Sequence, residues 1–127
     1  MFVLYSILLF SFLIFIHEFG HYITAKLSGV QVNEFSMFMG PAIFKKQKGE
    51  TLYAIRCIPI GGYCAMEGED EGSDDARAFC NAKVYKRIIV VAAGAVFNIL
   101  LGFVLMTTLT AIQPVLPTKT VATFVEG

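Results

Sequence analysis

The chain has 127 residues, 56% hydrophobic and 16% charged, an apolar excess that a small soluble domain cannot hide because it exposes so much of its surface. Mean hydropathy is +0.66, which points to lipid as the solvent. Ten basic residues balance ten acidic ones, so the basic excess that nucleic-acid binding needs is absent.

The first element, residues 1–25, opens on FVLYSILLFSFLIFI, which carries no charge. A bilayer core needs about 20 apolar residues as a helix, and the stretch reaches that length by including His17 to Ala25. It has neither the basic start nor the small-residue cleavage site of a signal peptide, so it reads as an uncleaved transmembrane helix. Residues 26–66 follow, with strand-like runs at Val30–Met39, Ala42–Lys46 and Thr51–Ile60. Gln47-Lys48-Gly49-Glu50 reads as a hairpin turn in which Gly49 takes positive φ, and Gly61-Gly62 reads as the end of the last strand. Residues 67–87 begin with EGEDEGSDD, a solvated acidic linker matching no calcium-loop spacing. They continue into a basic and aromatic stretch suited to the membrane interface. Residues 88–112 form an uncharged second transmembrane helix, stopped by Pro114 and Pro117. Residues 113–127 form a tail.

Lys45, Lys46, Lys48, Arg56, Arg77, Lys83, Lys86 and Arg87 all lie between the two apolar segments, whereas Lys119 is the single basic residue after Ile112. The positive-inside rule therefore puts the 26–87 loop in the cytoplasm and both termini outside. Cys57, Cys64 and Cys80, an odd count without a CxxC pair, read as reduced thiols. The expected fold is a membrane α-helical one, two transmembrane helices joined by a cytoplasmic or membrane-reentrant β-hairpin region.

The chemistry is concentrated at His17-Glu18-Phe19-Gly20-His21. On a helix His17 and His21 share a face, so two imidazoles can hold one Zn2+ ion. Glu18 beside them can take the proton of a water activated by that ion and pass it to a leaving amine. The competing reading is the polar end of an interfacial helix. A carboxylate within a membrane helix costs about 2.5–3.5 kcal/mol on insertion scales, and an interfacial end does not account for two His at i, i+4 around it. Gly20 weakens the helix but lets another backbone come close. A catalytic zinc takes three protein ligands, and no third candidate is placed on the second helix. Asn98, the strongly polar residue of that helix, is open to two readings: an interhelical hydrogen bond, or contact with substrate backbone or with the zinc-site helix. Gly94 and Gly102 would permit close packing, and Thr107, Thr108 and Thr110 are expected to bond to their own helix.

In order and spacing these pieces resemble the site-2 protease family of intramembrane zinc metalloproteases, in particular its bacterial RseP-type members. His17–His21 with Ala25-Lys26 and Gly29-Val30 resembles the family's first helix and its exit. Glu34-Phe35-Ser36 with Gly40-Pro41 resembles its membrane-reentrant β region. Ile58-Pro59-Ile60-Gly61-Gly62-Tyr63 resembles its PxGG strand end, and Ala92-Ala93-Gly94 with Asn98 its second helix. Ala95 and Lys83 stand where the family often has proline.

The resemblance implies regulated intramembrane proteolysis: Glu18 as catalytic base, His17 and His21 as zinc ligands, and Gly61, Gly62 and Asn98 as substrate-binding positions. The partners would be the lipid bilayer and a single-pass membrane protein already shortened by another protease, with nucleic acid excluded. A strand edge at Val30–Met39 or Thr51–Ile60 would hold the substrate extended. In the family an Asp on a later helix supplies the third zinc ligand, and a PDZ domain precedes it. Val121–Gly127 looks like the opening strand of such a domain, so the chain is expected to be an N-terminal part of a longer protease. The alternatives are a non-catalytic zinc-binding membrane module or inactive fragment, and a two-helix membrane protein in which the motif is accidental.

Overall fold

The computed structural model describes residues 1–113. The expected tail therefore lies outside the described residues from Pro114 onward.

Helix α1 spans Phe2–Ser28. It runs past the expected end at Ala25 because nothing in Lys26–Ser28 opposes helix, and it stops at Gly29, whose φ of 80° is a left-handed cap. The Val30 amide then donates to the Ala25 carbonyl at 2.9 Å. Helix α2 spans Val84–Ile112 and begins before the expected Ile88. Lys86 and Arg87 thus belong to its opening turns, and a single 3-10 turn at Phe79–Asn81 precedes it. Both helices are long and apolar enough to cross a bilayer. Thr107, Thr108 and Thr110 each donate to the carbonyl four residues earlier at 2.8 Å, as expected.

Between the helices, β1 (Val32–Lys48) and β2 (Thr51–Met66) form one antiparallel ribbon. Lys48 pairs with Thr51 across the expected turn, and Gly49 has φ 62°. The ribbon is folded back on itself. Glu34 to Met37 pair on one side with Ala65 down to Gly62, and on the other with Leu52 up to Ile55. The fold-back occurs where Phe38, Gly40 and Gly61 take positive φ. Gly61-Gly62 therefore does not end β2, as expected, but bends it. A Cβ on Gly62 would stand 2.9 Å from the Ser36 carbonyl oxygen, so only glycine lets the last arm lie against the first.

The doubled ribbon has two unlike faces, as the period of two in a strand requires. Phe35 turns toward α1, its ring 4.8 Å from that of Tyr22 and 5.7 Å from that of Phe15. On the other face Arg56 bonds the Glu34 carboxylate at 2.5 Å, the Tyr63 hydroxyl at 2.7 Å and the Gly40 carbonyl at 2.8 Å. The far bend is pinned to the middle of α1, where the Ser11 hydroxyl donates to the Pro59 carbonyl at 2.6 Å. Its tip is pinned at the other end, where Glu50 meets Lys26 at 3.2 Å and Arg77 at 2.5 Å. Ala25, Val30, Val32, Cys64, Met66 and Val90 form the small core where helices and ribbon join.

The acidic linker is less free than expected. Glu67 accepts from Asn33 at 2.7 Å and from Ser73 at 2.9 Å.

The two helices meet at Gly20. A Cβ there would lie 2.7 Å from the Ala93 carbonyl oxygen, so the helix-weakening glycine serves backbone contact. Gly102, by contrast, has nothing within 4 Å of a Cβ, and the expectation of close packing holds for Gly94 and fails for Gly102. Gly20→Ala should therefore cost on the order of 1–3 kcal/mol, as overpacking does, while Gly102→Ala should be near neutral. Thermal unfolding of the two variants in the same detergent checks the difference, and equal transition temperatures would contradict it.

Candidate metal centre

The site is built on the face of α1 that α2 covers. His17 and His21 lie one turn apart, their rings 4.8 Å between centroids and nearly perpendicular. The ligand atoms of His17, Glu18 and His21 all lie within 4.8 Å of one another, and all three residues are half-buried. Among the described residues this is the one cluster of three such groups.

The imidazoles are oriented for a metal. Nδ1 of His21 is 2.7 Å from the Val90 carbonyl oxygen. A carbonyl only accepts, so Nδ1 carries the hydrogen, and in the neutral ring this leaves Nε2 the lone pair. This backbone partner is what metal-ligating histidines use to fix their tautomer. The free nitrogens converge on Gly94: a Cβ built there would lie 2.6 Å from His17 Nε2 and 2.7 Å from His21 Nε2. The missing side chain leaves a cradle in front of both nitrogens. Two imidazoles with a carboxylate alongside are a donor set that suits zinc, and the residues present fit such an ion.

Glu18 turns away from α2 toward the ribbon, where it lies beside the Cys64 segment of β2. Cys64 is itself buried. Burial, followed by the nearby charges of Glu18 and Glu69, pushes its thiol up to about 12. Cys57, Cys64 and Cys80 are all free thiols.

The remaining candidate positions fall around this centre. Gly61 and Gly62 shape the last arm of β2, and Cys64 brings that arm to Glu18. Asn98 lies one turn beyond Gly94 on α2. Its Oδ1 is buried and has no hydrogen-bond partner among the described residues, so the interhelical bond is not seen. The expected strand edges are corrected. Glu34–Met37 is paired on both sides, and Leu52–Ile55 lies between that arm and Phe44–Gln47. The edge beside the site is instead Gly62–Met66.

Two contributions were not read from the sequence: the Val90 carbonyl and the cradle at Gly94. The first is a backbone group and leaves no trace in residue identity. Gly94 could have been found from its place four residues before Asn98 on one helical face.

The sequence model described as "Peptidase family M50" matches residues 5–126. A provisionally named zinc metalloprotease of Clostridium perfringens is 45% identical over 106 residues, covering 83% of this chain and 31% of that protein. One of Clostridium acetobutylicum is 47% identical over 100 residues, covering 79% and 30%. One of Fusobacterium nucleatum is 42% identical over 103 residues, covering 81% and 30%. The chain thus spans about a third of the length of these relatives.

Gly94→Ala should remove the cradle while leaving every candidate ligand in place. Zinc affinity, measured by competition with a chromophoric chelator, should fall roughly 10–100-fold, the range seen when the surroundings of metal ligands are changed. Unchanged affinity would mean that the two nitrogens do not share an ion in front of α2.

Proposed function

Because this chain belongs to peptidase family M50, we propose that it carries the base and two of the metal ligands of a membrane-embedded zinc protease. The observation that carries the reading is the convergence of His17 Nε2 and His21 Nε2 on the space that Gly94 leaves open. Bound there, zinc supplies Lewis-acid activation of water and of the scissile carbonyl. Glu18, one residue from His17 and facing the Cys64 segment of β2, takes the proton of the attacking water and delivers it to the amine nitrogen of the broken peptide bond. A third protein ligand completes the shell, since catalytic zinc sites use three. In this reading it is a carboxylate from the longer protein.

The substrate is a single-pass membrane protein whose helix unwinds to expose a peptide bond. Its extended segment adds to the Gly62–Met66 edge by backbone hydrogen bonds, a register that sets it beside Glu18. Asn98, with an unsatisfied Oδ1 one turn from Gly94, is positioned to accept from the substrate backbone. In the membrane, α1 and α2 span the bilayer. The charge asymmetry puts residues 26–87 on the cytoplasmic side. Cys57, which is exposed, then reacts with an impermeant thiol reagent only after the cells are opened. Labelling in intact cells would reverse the orientation.

In a chain extended to the length of its relatives, Glu18→Gln should retain zinc and lower cleavage of a model single-pass substrate by about 10²–10⁴-fold, the contribution of a positioned base. His17→Ala and His21→Ala should lose metal as well as activity. The 127-residue chain alone should hold less than one zinc per chain after dialysis. Near-normal cleavage by Glu18→Gln would remove its assigned role, and a tight stoichiometric zinc in the short chain would favour a self-contained zinc-binding module.

A further inference from the structure

A second site lies on the outer face of α2, away from the metal centre. Val84, Arg87, Ile88, Val91 and Ala92 recur at helical spacing, and Phe79 from the preceding turn forms the opposite wall of a groove of about 420 Å³. Its lining is apolar except for Arg87. The Arg87 Nε is buried and has no hydrogen-bond partner among the described residues. A buried donor left without an acceptor is costly, more so on a charged group, and the guanidinium is shaped to be met by a planar or bidentate anion.

The occupant must therefore be an amphiphile, with an anionic acceptor at the Arg87 end and a hydrocarbon part along Ile88 and Val91. An apolar helix laid in the same groove would cover the hydrocarbon wall but bring no counter-charge to the guanidinium, which is half-buried and makes no ion pair among the described residues. Arg87 stands where the basic stretch gives way to the uncharged run from Ile88, the depth of lipid phosphates when α2 spans a bilayer. Exposed Lys83, one turn earlier, adds positive charge there. Lys86 is already engaged, donating to the Ser28 carbonyl at 2.9 Å.

We propose that this groove holds an anionic phospholipid, its phosphate accepting from Arg87 and one acyl chain lying against Phe79, Ile88 and Val91. The proposal rests on the bilayer setting argued above. The bound lipid would fix the depth at which α2 enters the membrane.

The chain has no tryptophan, so Ala95→Trp, at an exposed position one turn past Val91, gives a single reporter. The protein is reconstituted in phosphatidylcholine vesicles and titrated with phosphatidylglycerol or phosphatidylcholine carrying brominated acyl chains. Brominated phosphatidylglycerol should quench at a roughly fivefold lower mole fraction, the effect of one cation near an anionic surface. Adding Arg87→Gln should bring the two lipids onto one curve, with far-UV circular dichroism confirming that the helices persist. Lys45→Gln, in the ribbon, should keep the preference, and free inorganic phosphate should not relieve the quenching. Equal quenching by both lipids in the parent, a preference that survives Arg87→Gln, or relief by phosphate would each overturn the lipid site while leaving the bilayer reading intact. No quenching by either lipid would overturn the bilayer reading itself.

Discussion

Everything in this fold depends on two helices being able to touch backbone to backbone. Gly20 on α1 and Gly94 on α2 remove the side chains that would hold the helices apart, and the two positions face each other across the same contact. At Gly20 the gain is proximity: the Ala93 carbonyl comes so close that a methyl group has no room. At Gly94 the gain is space, because the same absence leaves the Nε2 atoms of His17 and His21 an open volume. Proximity also brings the Val90 carbonyl to His21 Nδ1 at 2.7 Å, which selects the tautomer. A helix pair one side chain further apart would lose the orienting bond and the shared volume together.

The ribbon completes the arrangement from the other side of α1. Its aromatic face, centred on Phe35, packs onto Phe15, Phe19 and Tyr22, and its last arm brings Cys64 beside Glu18. One helix therefore carries the histidines toward α2 and the carboxylate toward β2. Adjacent residues on a helix point about 100° apart, so His17 and Glu18 necessarily look at different neighbours. The centre needs both neighbours in place, and the ties among Lys26, Glu50 and Arg77, with Lys86 to the Ser28 carbonyl, hold them at the end of α1.

Much of this was legible from residue identity. Length and apolar character located the two helices, because both are local properties. The i, i+4 spacing placed both histidines on one face, and Gly49 marked the turn. What was not legible is of two kinds. The fold-back of the ribbon depends on pairing between segments far apart in sequence, so Gly61-Gly62 read as a strand end although its φ values and the nearby Ser36 carbonyl make it a bend. The edge strand was misassigned for the same reason: the run Val30–Met39 has a suitable composition, but its Glu34–Met37 stretch is hemmed in on both sides. The second kind is chemistry contributed by backbone, as at the Val90 carbonyl, which any residue could supply.

The bond between Ser11 and the Pro59 carbonyl has one more implication. Ser11 precedes Glu18 by two turns of helix, or ~10 Å along the axis, so the folded ribbon continues past the metal centre rather than stopping level with it. Its outer face carries Arg56, Glu34, Tyr63 and Ser36 joined by hydrogen bonds. That face looks away from α1, opposite the aromatic one that packs on Phe15 and Tyr22. The ribbon thus sorts its side chains along its whole length, rings against the metal-bearing helix and ion-paired groups on the far side. A substitution that slipped its register by one residue would exchange the two sets and set a charged pair against the helix that carries the histidines.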